Sequence, residues 1–376
     1  MKTVKLPGLI DPHVHLRDPG ATHKEDFESV TKAAVAGGFV MVLDMPNNPE
    51  PTITRSALDK KTRLAHEKAV CDVGFIFGAS SVNPRQDRHP ELVSGSKSKK
   101  MLKQAIVLSD SERIQHDEVG NTSEFPKIID DVYALKVYMD TTTGNLLIED
   151  EHILENIFTK WPSHKPIVVH AEDETMKKAI GLAKKFSKKL HVAHLSQKSE
   201  LERVIEEKQK GFPITCEVTP HHLFLTEKDA VVLGPYGIMK PPLKSRKDVD
   251  FLWKHIDAID CIATDHAPHT KEEKESDKPL YGVPGLETSL PLMLTAVHDG
   301  RITIEDVIRL MHTRPREIFG ISIDVDSYAE VELNSEYQIL NTDLFTKCGW
   351  SPFDGMNVKG RVIKTVIRGK DVYKYA

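Results

Sequence analysis

Apolar residues run along this chain in short blocks, and the length and flanks of each block decide how it reads. Pro7 to His15 is strand-like and gives way to a polar loop through Asp18-Pro19-Gly20. Lys24 to Ala36 has helical spacing and closes on Gly37-Gly38, as helix C-termini often do. Phe39 to Met45 is an unbroken apolar run, the mark of a strand buried on both faces. Pro46-Asn47-Asn48-Pro49 breaks it, Ser56 to Ala69 reads as the next helix and Cys71 to Ala79 as a third strand. The alternation resumes with strands at Val132 to Met139, Ile167 to His170, His191 to His194, Ile214 to Val218 and Cys261 to Asp265. Helices at Glu172 to about Lys185 and at Ser199 to Lys210 lie between them.

Short strand–helix–strand units argue for parallel βα repeats, and eight candidate strands are enough for a closed barrel. The expected fold is therefore α/β, a (β/α)8 TIM-like barrel over 7–325. Beyond Arg316 the segments shorten: Tyr328 to Leu333, Tyr337 to Leu340, Gly360 to Arg368 and Val372 to Tyr375. They predict a small β appendage, 326–376, that recruits residues 1–6. Between 84 and 131 the pattern dissolves into a Ser/Lys-rich stretch, Ser94 to Lys103, and an acidic one, Asp110 to Glu124. So long a connection is unusual inside a compact domain and reads as an exposed insertion.

Composition narrows the classes. In 376 residues, 39% hydrophobic content is ample for a core, and 28% charged residues with net charge −5 describe an ordinary soluble protein. No global basic excess points to nucleic acid, and Lys97 to Lys103 and Lys184 to Lys189 read as solvated faces. No apolar stretch approaches the ~20 residues that span a bilayer, and Met1 to Lys5 lacks the apolar core of a signal peptide. Cys71, Cys216, Cys261 and Cys348 have no paired spacing, as expected for reduced thiols in the cytoplasm.

The candidate chemistry begins at His13 and His15. Two residues apart at a strand end, they share one face and make half a metal site, with the fixed charge of Arg17 beside them. Taken alone, the pair is as well explained as structural. Lys136, His170, His194 and Asp265, however, also fall in or just after apolar β runs. Barrel enzymes gather catalytic groups at the C-terminal ends of their strands, so five strands would converge on one mouth. Imidazole and carboxylate suit zinc and similar divalent ions. Lys136 is the odd member, because a buried ammonium would repel a cation. Desolvation frees its amine, which can take up carbon dioxide as a metal-bridging carbamate. Pairing with Asp130 or Asp131 is the plain alternative.

Several motifs resemble the amidohydrolase superfamily: His13-Val14-His15-Leu16-Arg17, Met45-Pro46-Asn47, Lys136-Val137-Tyr138 and Val169-His170-Ala171-Glu172. So do Val192-Ala193-His194, Glu217-Val218-Thr219-Pro220-His221-His222 and Thr264-Asp265-His266-Ala267-Pro268-His269. More narrowly, Trp161-Pro162-Ser163-His164 and Pro284-Gly285-Leu286-Glu287-Thr288 resemble the dihydroorotase domain of the animal-type multifunctional pyrimidine-synthesis protein. The likeness runs the length of the chain, interrupted chiefly by 84–131.

The resemblance implies a zinc enzyme that reversibly cyclises N-carbamoyl-L-aspartate to dihydroorotate. It implies that His13 and His15 with Asp265 hold one zinc, that His170 and His194 hold the other, and that carboxylated Lys136 bridges them. Asp265 would act as general base and then acid. Arg17, Asn47 and His269 would bind the substrate carboxylate, with Lys240 and Tyr281 as further contacts and Thr142 on a closing lid. Lys240 stands where the animal domain has arginine. Glu217 remains as a ligand for a third zinc, but Ala193 replaces the accompanying cysteine, which speaks for two metals. A homodimer is implied, as is membership of a larger polypeptide with carbamoyl phosphate synthetase and aspartate carbamoyltransferase. The competing expectations are a hydantoinase or allantoinase, and an inactive scaffold domain.

Overall fold

The computed structural model describes residues 3–82 and 119–375. Strands β2 (Leu9–Val14), β3 (Phe39–Asp44), β4 (Asp72–Gly78), β5 (Ala134–Tyr138), β6 (Ile167–His170), β7 (Leu190–Val192), β8 (Ile214–Val218) and β9 (Cys261–Ile262) pair in chain order in one eight-stranded sheet. All seven pairings are parallel. The ring closes just past β9, where Val14 bridges His266 and the His15 amide donates to the His266 carbonyl at 2.9 Å. Asp11 staples the seam from below: its carboxylate accepts from the Thr264 hydroxyl at 2.5 Å and from the His13 amide at 3.1 Å. Strands β2, β3, β5 and β6 are buried along their whole length, which is why their sequences show no apolar–polar alternation and why their few polar members, such as Asp11, His13, Lys136 and His170, are buried too.

A second sheet, antiparallel, is built from both termini in the order β1 (Thr3–Pro7), β10 (Tyr328–Gln338), β11 (Asn357–Ile367), β12 (Lys370–Lys374). The expected fold class is the observed one. Strand β10 is a single element where the polar break at Asn334-Ser335 suggested two; the break is a register shift between Glu332 and Glu336.

The first helix starts at Phe27 rather than Lys24. Asp26 caps it by accepting from the Ser29 amide, and the Ser29 side chain returns the bond. The helix closes on Gly37-Gly38: Gly38 turns the chain at φ 86°, and Gly37 has no room for a Cβ, which would lie 2.2 Å from the Leu286 carbonyl oxygen.

The expected exposed insertion, 84–131, differs at its C-terminal end. Thr122–Glu124, Phe125–Ile128 and Ile129–Asp131 form consecutive helical turns in the barrel wall. Phe125 and Ile128 are buried, and the Phe125 ring meets Trp161 edge-on at 5.2 Å. Asn121 bonds the Ser80 amide at 3.0 Å and the carbonyls of Gly78 and Ile53 at 2.8 and 2.9 Å. Turns this short carry too little periodicity to stand out from an acidic background. Residues 83–118, Ser94 to Lys103 included, lie outside the described residues. Among the described residues all four cysteines are free and buried, and no helix is long and apolar enough to cross a membrane.

Candidate active site

One pocket at the C-terminal ends of the barrel strands is lined by His13, His15, Arg17, Asn47, Lys136, Thr142, His170, His194, Lys240, Asp265 and Tyr281. Glu217 and His269 are the two expected residues not on its wall. The pocket is also lined by Tyr138, whose buried hydroxyl has no hydrogen-bond partner among the described residues. Its signal was available, since Tyr138 lies two residues beyond Lys136 on β5 and therefore on the same face. Arg17, His194 and Asp265 all have positive φ, at 63°, 35° and 45°. Bulky residues rarely adopt that region, and strain of this kind collects at functional sites.

The titratable groups form two adjoining sets. Asp265 Oδ1 lies 3.0 Å from His15 Nε2 and 3.3 Å from His13 Nε2, and His170 Nδ1 lies 2.8 Å from His194 Nε2. One ligand atom each from His13, His194 and Asp265 falls within 4.8 Å of the others. Burial pushes His15 down to about 4, His170 to about 3 and His194 well below its usual value, leaving neutral imidazoles, the form that binds metals. Burial alone would raise Asp265, but His13 and His15 hold it well below the carboxylate range. Burial lowers Lys136 to about 8, against the pull of Glu217 and Asp265.

Three buried nitrogens here, Lys136 Nζ, His170 Nε2 and His194 Nδ1, have no hydrogen-bond partner among the described residues. Buried polar atoms are otherwise almost always paired. Neutral imidazoles and an ionised carboxylate with unengaged lone pairs fit divalent cations of the zinc type. An ammonium at Lys136 would repel such a cation, and burial already favours the uncharged amine.

Behind this layer sits Glu217. One oxygen pairs with His13 Nδ1 and accepts from the His194 amide at 3.2 Å; the other lies 3.1 Å from His191 Nε2. Its carboxylate is thus engaged in orienting His13, the usual outer partner of a ligating histidine. The neighbouring Ala193 is buried and offers no ligand atom.

The substrate side is built around Arg17. The guanidinium is buried, its Nε donates to the Pro268 carbonyl at 3.1 Å, and no carboxylate among the described residues forms an ion pair with it. His269 sits one layer behind. Lys24 Nζ donates to its Nδ1 at 3.2 Å, so the ring proton is on Nε2 and donates to the Tyr281 carbonyl at 2.9 Å. Arg17 Nη2, 3.2 Å from that same Nε2, then meets a donor and gains no acceptor from His269. Asn47 faces both ways: its Oδ1 lies 2.7 Å from His15 Nδ1, and its Nδ2 donates to the Thr143 carbonyl at 3.1 Å in the loop that carries Thr142. Beneath it the buried pair Lys61–Asp44, 2.6 Å apart, fixes the end of β3, with Lys61 also donating to the Met45 carbonyl at 3.0 Å.

Comparison with known proteins agrees with this geometry. The amidohydrolase family matches residues 4–372. "Multifunctional protein CAD" of Squalus acanthias is 41% identical over 373 residues, covering 99% of this chain and 15% of that protein. The chain thus spans only 15% of the length of that relative. A "Dihydroorotase" of Pyrococcus furiosus is 36% identical over 376 residues, covering 98% of this chain and 81% of that one. Among solved structures, an L-hydantoinase (dihydropyrimidinase) from Arthrobacter aurescens superposes with a TM-score of 0.84 at 25% identity, covering 99% of this chain and 86% of that chain. The eight-stranded barrel, the histidines at its mouth and the family match over nearly all of its length agree: this chain belongs to the amidohydrolase family.

Proposed function

We propose that the chain is a zinc-dependent dihydroorotase, which interconverts N-carbamoyl-L-aspartate and dihydroorotate in pyrimidine biosynthesis. Arg17 carries this reading beyond the family. A buried guanidinium on the pocket wall that no carboxylate among the described residues pairs with directly calls for an anionic group on the substrate. Dihydroorotate has a carboxylate on its ring, and the planar fork of an arginine matches it. The dihydroorotase relatives in whole-length alignment with this chain support the same substrate.

Two zinc ions would be held by His13, His15 and Asp265 and by His170 and His194, with Lys136 carboxylated on Nζ between them. Bound zinc supplies a water of lowered pKa and polarises the scissile carbonyl. Asp265, ionised at neutral pH, takes the proton of the attacking water and hands it to the departing ring nitrogen. In the biosynthetic direction it assists ring closure. Arg17 and Asn47 hold the carboxylate end, and His269 acts from behind Arg17 by refusing it an acceptor. Lys240 and Tyr281 flank the ring, the ammonium 5.2 Å over the phenol ring, and Thr142 lies on the loop that would cover it. We also propose a barrel domain over 7–325 with the terminal β sheet as its appendage, a cytoplasmic homodimer, and membership of a longer pyrimidine-synthesis polypeptide with carbamoyl phosphate synthetase and aspartate carbamoyltransferase.

A second reading, a hydantoinase-type cyclic-amide hydrolase, has the likeness to the Arthrobacter aurescens enzyme in its favour. Turnover of dihydroorotate, hydantoin and allantoin by the purified protein separates the two. Strong preference for dihydroorotate is expected; preference for the rings without a carboxylate would overturn the assignment.

A further inference from the structure

Lys274 is a fully buried lysine. It lies outside the pocket, on a short helical turn, Lys271–Lys274, after the Asp265–His269 segment. Among the described residues no carboxylate forms an ion pair with it, and burial alone depresses its pKa, to about 8. Its ammonium instead donates to three main-chain carbonyls: Ile238 at 2.8 Å, Leu280 at 2.8 Å and Gly282 at 3.1 Å. Three donors meet three acceptors. The Trp350 ring closes the cage, its centroid 5.5 Å from Nζ, while its own Nε1 donates to the His269 carbonyl at 2.8 Å.

Those carbonyls come from two separate loops. Ile238 leads directly into Met239-Lys240, and Leu280 and Gly282 flank Tyr281; Lys240, Tyr281 and Gly282 all line the pocket. The loops touch directly through the Gly282 amide, which donates to the Ile238 carbonyl at 3.1 Å. Gly282 is also pressed against Ala267, whose carbonyl oxygen would lie 2.5 Å from a Cβ at that position. Without the ammonium, three carbonyl dipoles would face one another in a buried space, and the loops would part or shift.

We propose that Lys274 is a positioning residue, an internal cation that clamps the 238–241 and 280–283 loops into one wall and so sets the spacing of Lys240 and Tyr281 around the substrate ring. It touches neither the substrate nor the candidate metal ligands, so its effect belongs in substrate binding. The proposal rests on the pocket being the substrate site.

The test is the split between KM and kcat in Lys274→Met, which keeps the length and removes the charge and donors. A rise in KM for dihydroorotate of ~10-fold to ~100-fold is expected, with kcat and bound metal per chain near wild type. A KM within about twofold of wild type, or loss of kcat and metal at unchanged KM, overturns it. Lys274→Ala, purified and assayed in a concentration series of propylammonium, covers the case in which the methionine variant fails to fold. KM should fall as the amine refills the cage, and a KM independent of propylammonium overturns the proposal. Wild-type turnover is the control that separates the two claims. If the wild type ignores dihydroorotate, the functional reading fails, and the same split is measured with whichever cyclic amide it accepts.

Discussion

Arg17 is a buried cation with no direct ion-pair partner among the described residues: Asp265, Asp44 and Glu273 act on it only through their charge. Lys24 fixes the His269 tautomer, and His269 then presents a donor to Arg17 instead of an acceptor. Replacing Arg17 with methionine should lower kcat/KM for dihydroorotate by ~100-fold or more, since each charge-assisted bond is worth about 1.5–3 kcal/mol. Any residual turnover of hydantoin, which has no carboxylate, should change little. Equal losses on both substrates would show that Arg17 supports the pocket and does not read the carboxylate. At this scale much was legible. His13, His15, Lys136, His170, His194 and Asp265 could be read because each is a polar residue in or behind an apolar run, a placement with few structural uses. Glu217 and His269 were legible as residues but not as layers: both are polar and near the right motifs, and only the folded geometry puts them behind His13 and Arg17. Asn47 shows the same limit, because its bond to the Thr143 carbonyl links positions 96 residues apart.

Elements are legible where they are long or wholly buried, and hidden where composition masks them. The eight barrel strands come from apolar runs of the right length. The turns over 122–131 are lost in an acidic stretch, and the true start of the first helix, Phe27, is set by the cap of Asp26 and Ser29, a two-residue signal that periodicity does not show. Helix caps also carry a pH-dependent prediction. Glu200, buried in the first turn of Lys198–Gln209, accepts from the amides of Ser196 and Gln197 at 3.0 and 3.3 Å, yet burial raises its pKa to about 7. The folded state therefore holds its proton more tightly than the unfolded chain. Its stabilising share is full below about 4.5 and is lost as pH rises through about 7. Glu200→Gln keeps an acceptor without the charge, so urea unfolding should find the variant more stable than wild type at pH 8 by ~1–3 kcal/mol, with the difference closing towards pH 4. A constant difference across that range would assign the effect to packing.

For the whole molecule, the terminal sheet and the barrel share one core: Leu6, Val331, Val362 and Ile367 belong to the same buried cluster as the barrel strands. Glu25, buried in the loop before the first helix, accepts from the Thr346 hydroxyl at 2.6 Å and from the Lys347 amide at 3.1 Å, tying the C-terminal segment to the barrel mouth. A chain truncated to residues 1–325 should therefore lose cooperative unfolding and bound metal together, as followed by calorimetry and metal analysis. A truncated barrel that melts cooperatively with its metal would make the sheet a dispensable addition. The sheet's existence was legible from short alternating segments, but its packing against the helix Leu286–His298, where a Cβ on Gly360 would meet Leu294 at 2.6 Å, was not.

The proposed two-zinc dihydroorotase site at the barrel mouth stands or falls with its bridge, Lys136. Metal content and dihydroorotate turnover, measured side by side for the wild type and Lys136→Ala, decide it. About two zinc ions per chain and ready turnover are expected in the wild type, with both lost in the variant. Full activity in Lys136→Ala, or a metal-free wild type that still turns over dihydroorotate, would contradict the assignment.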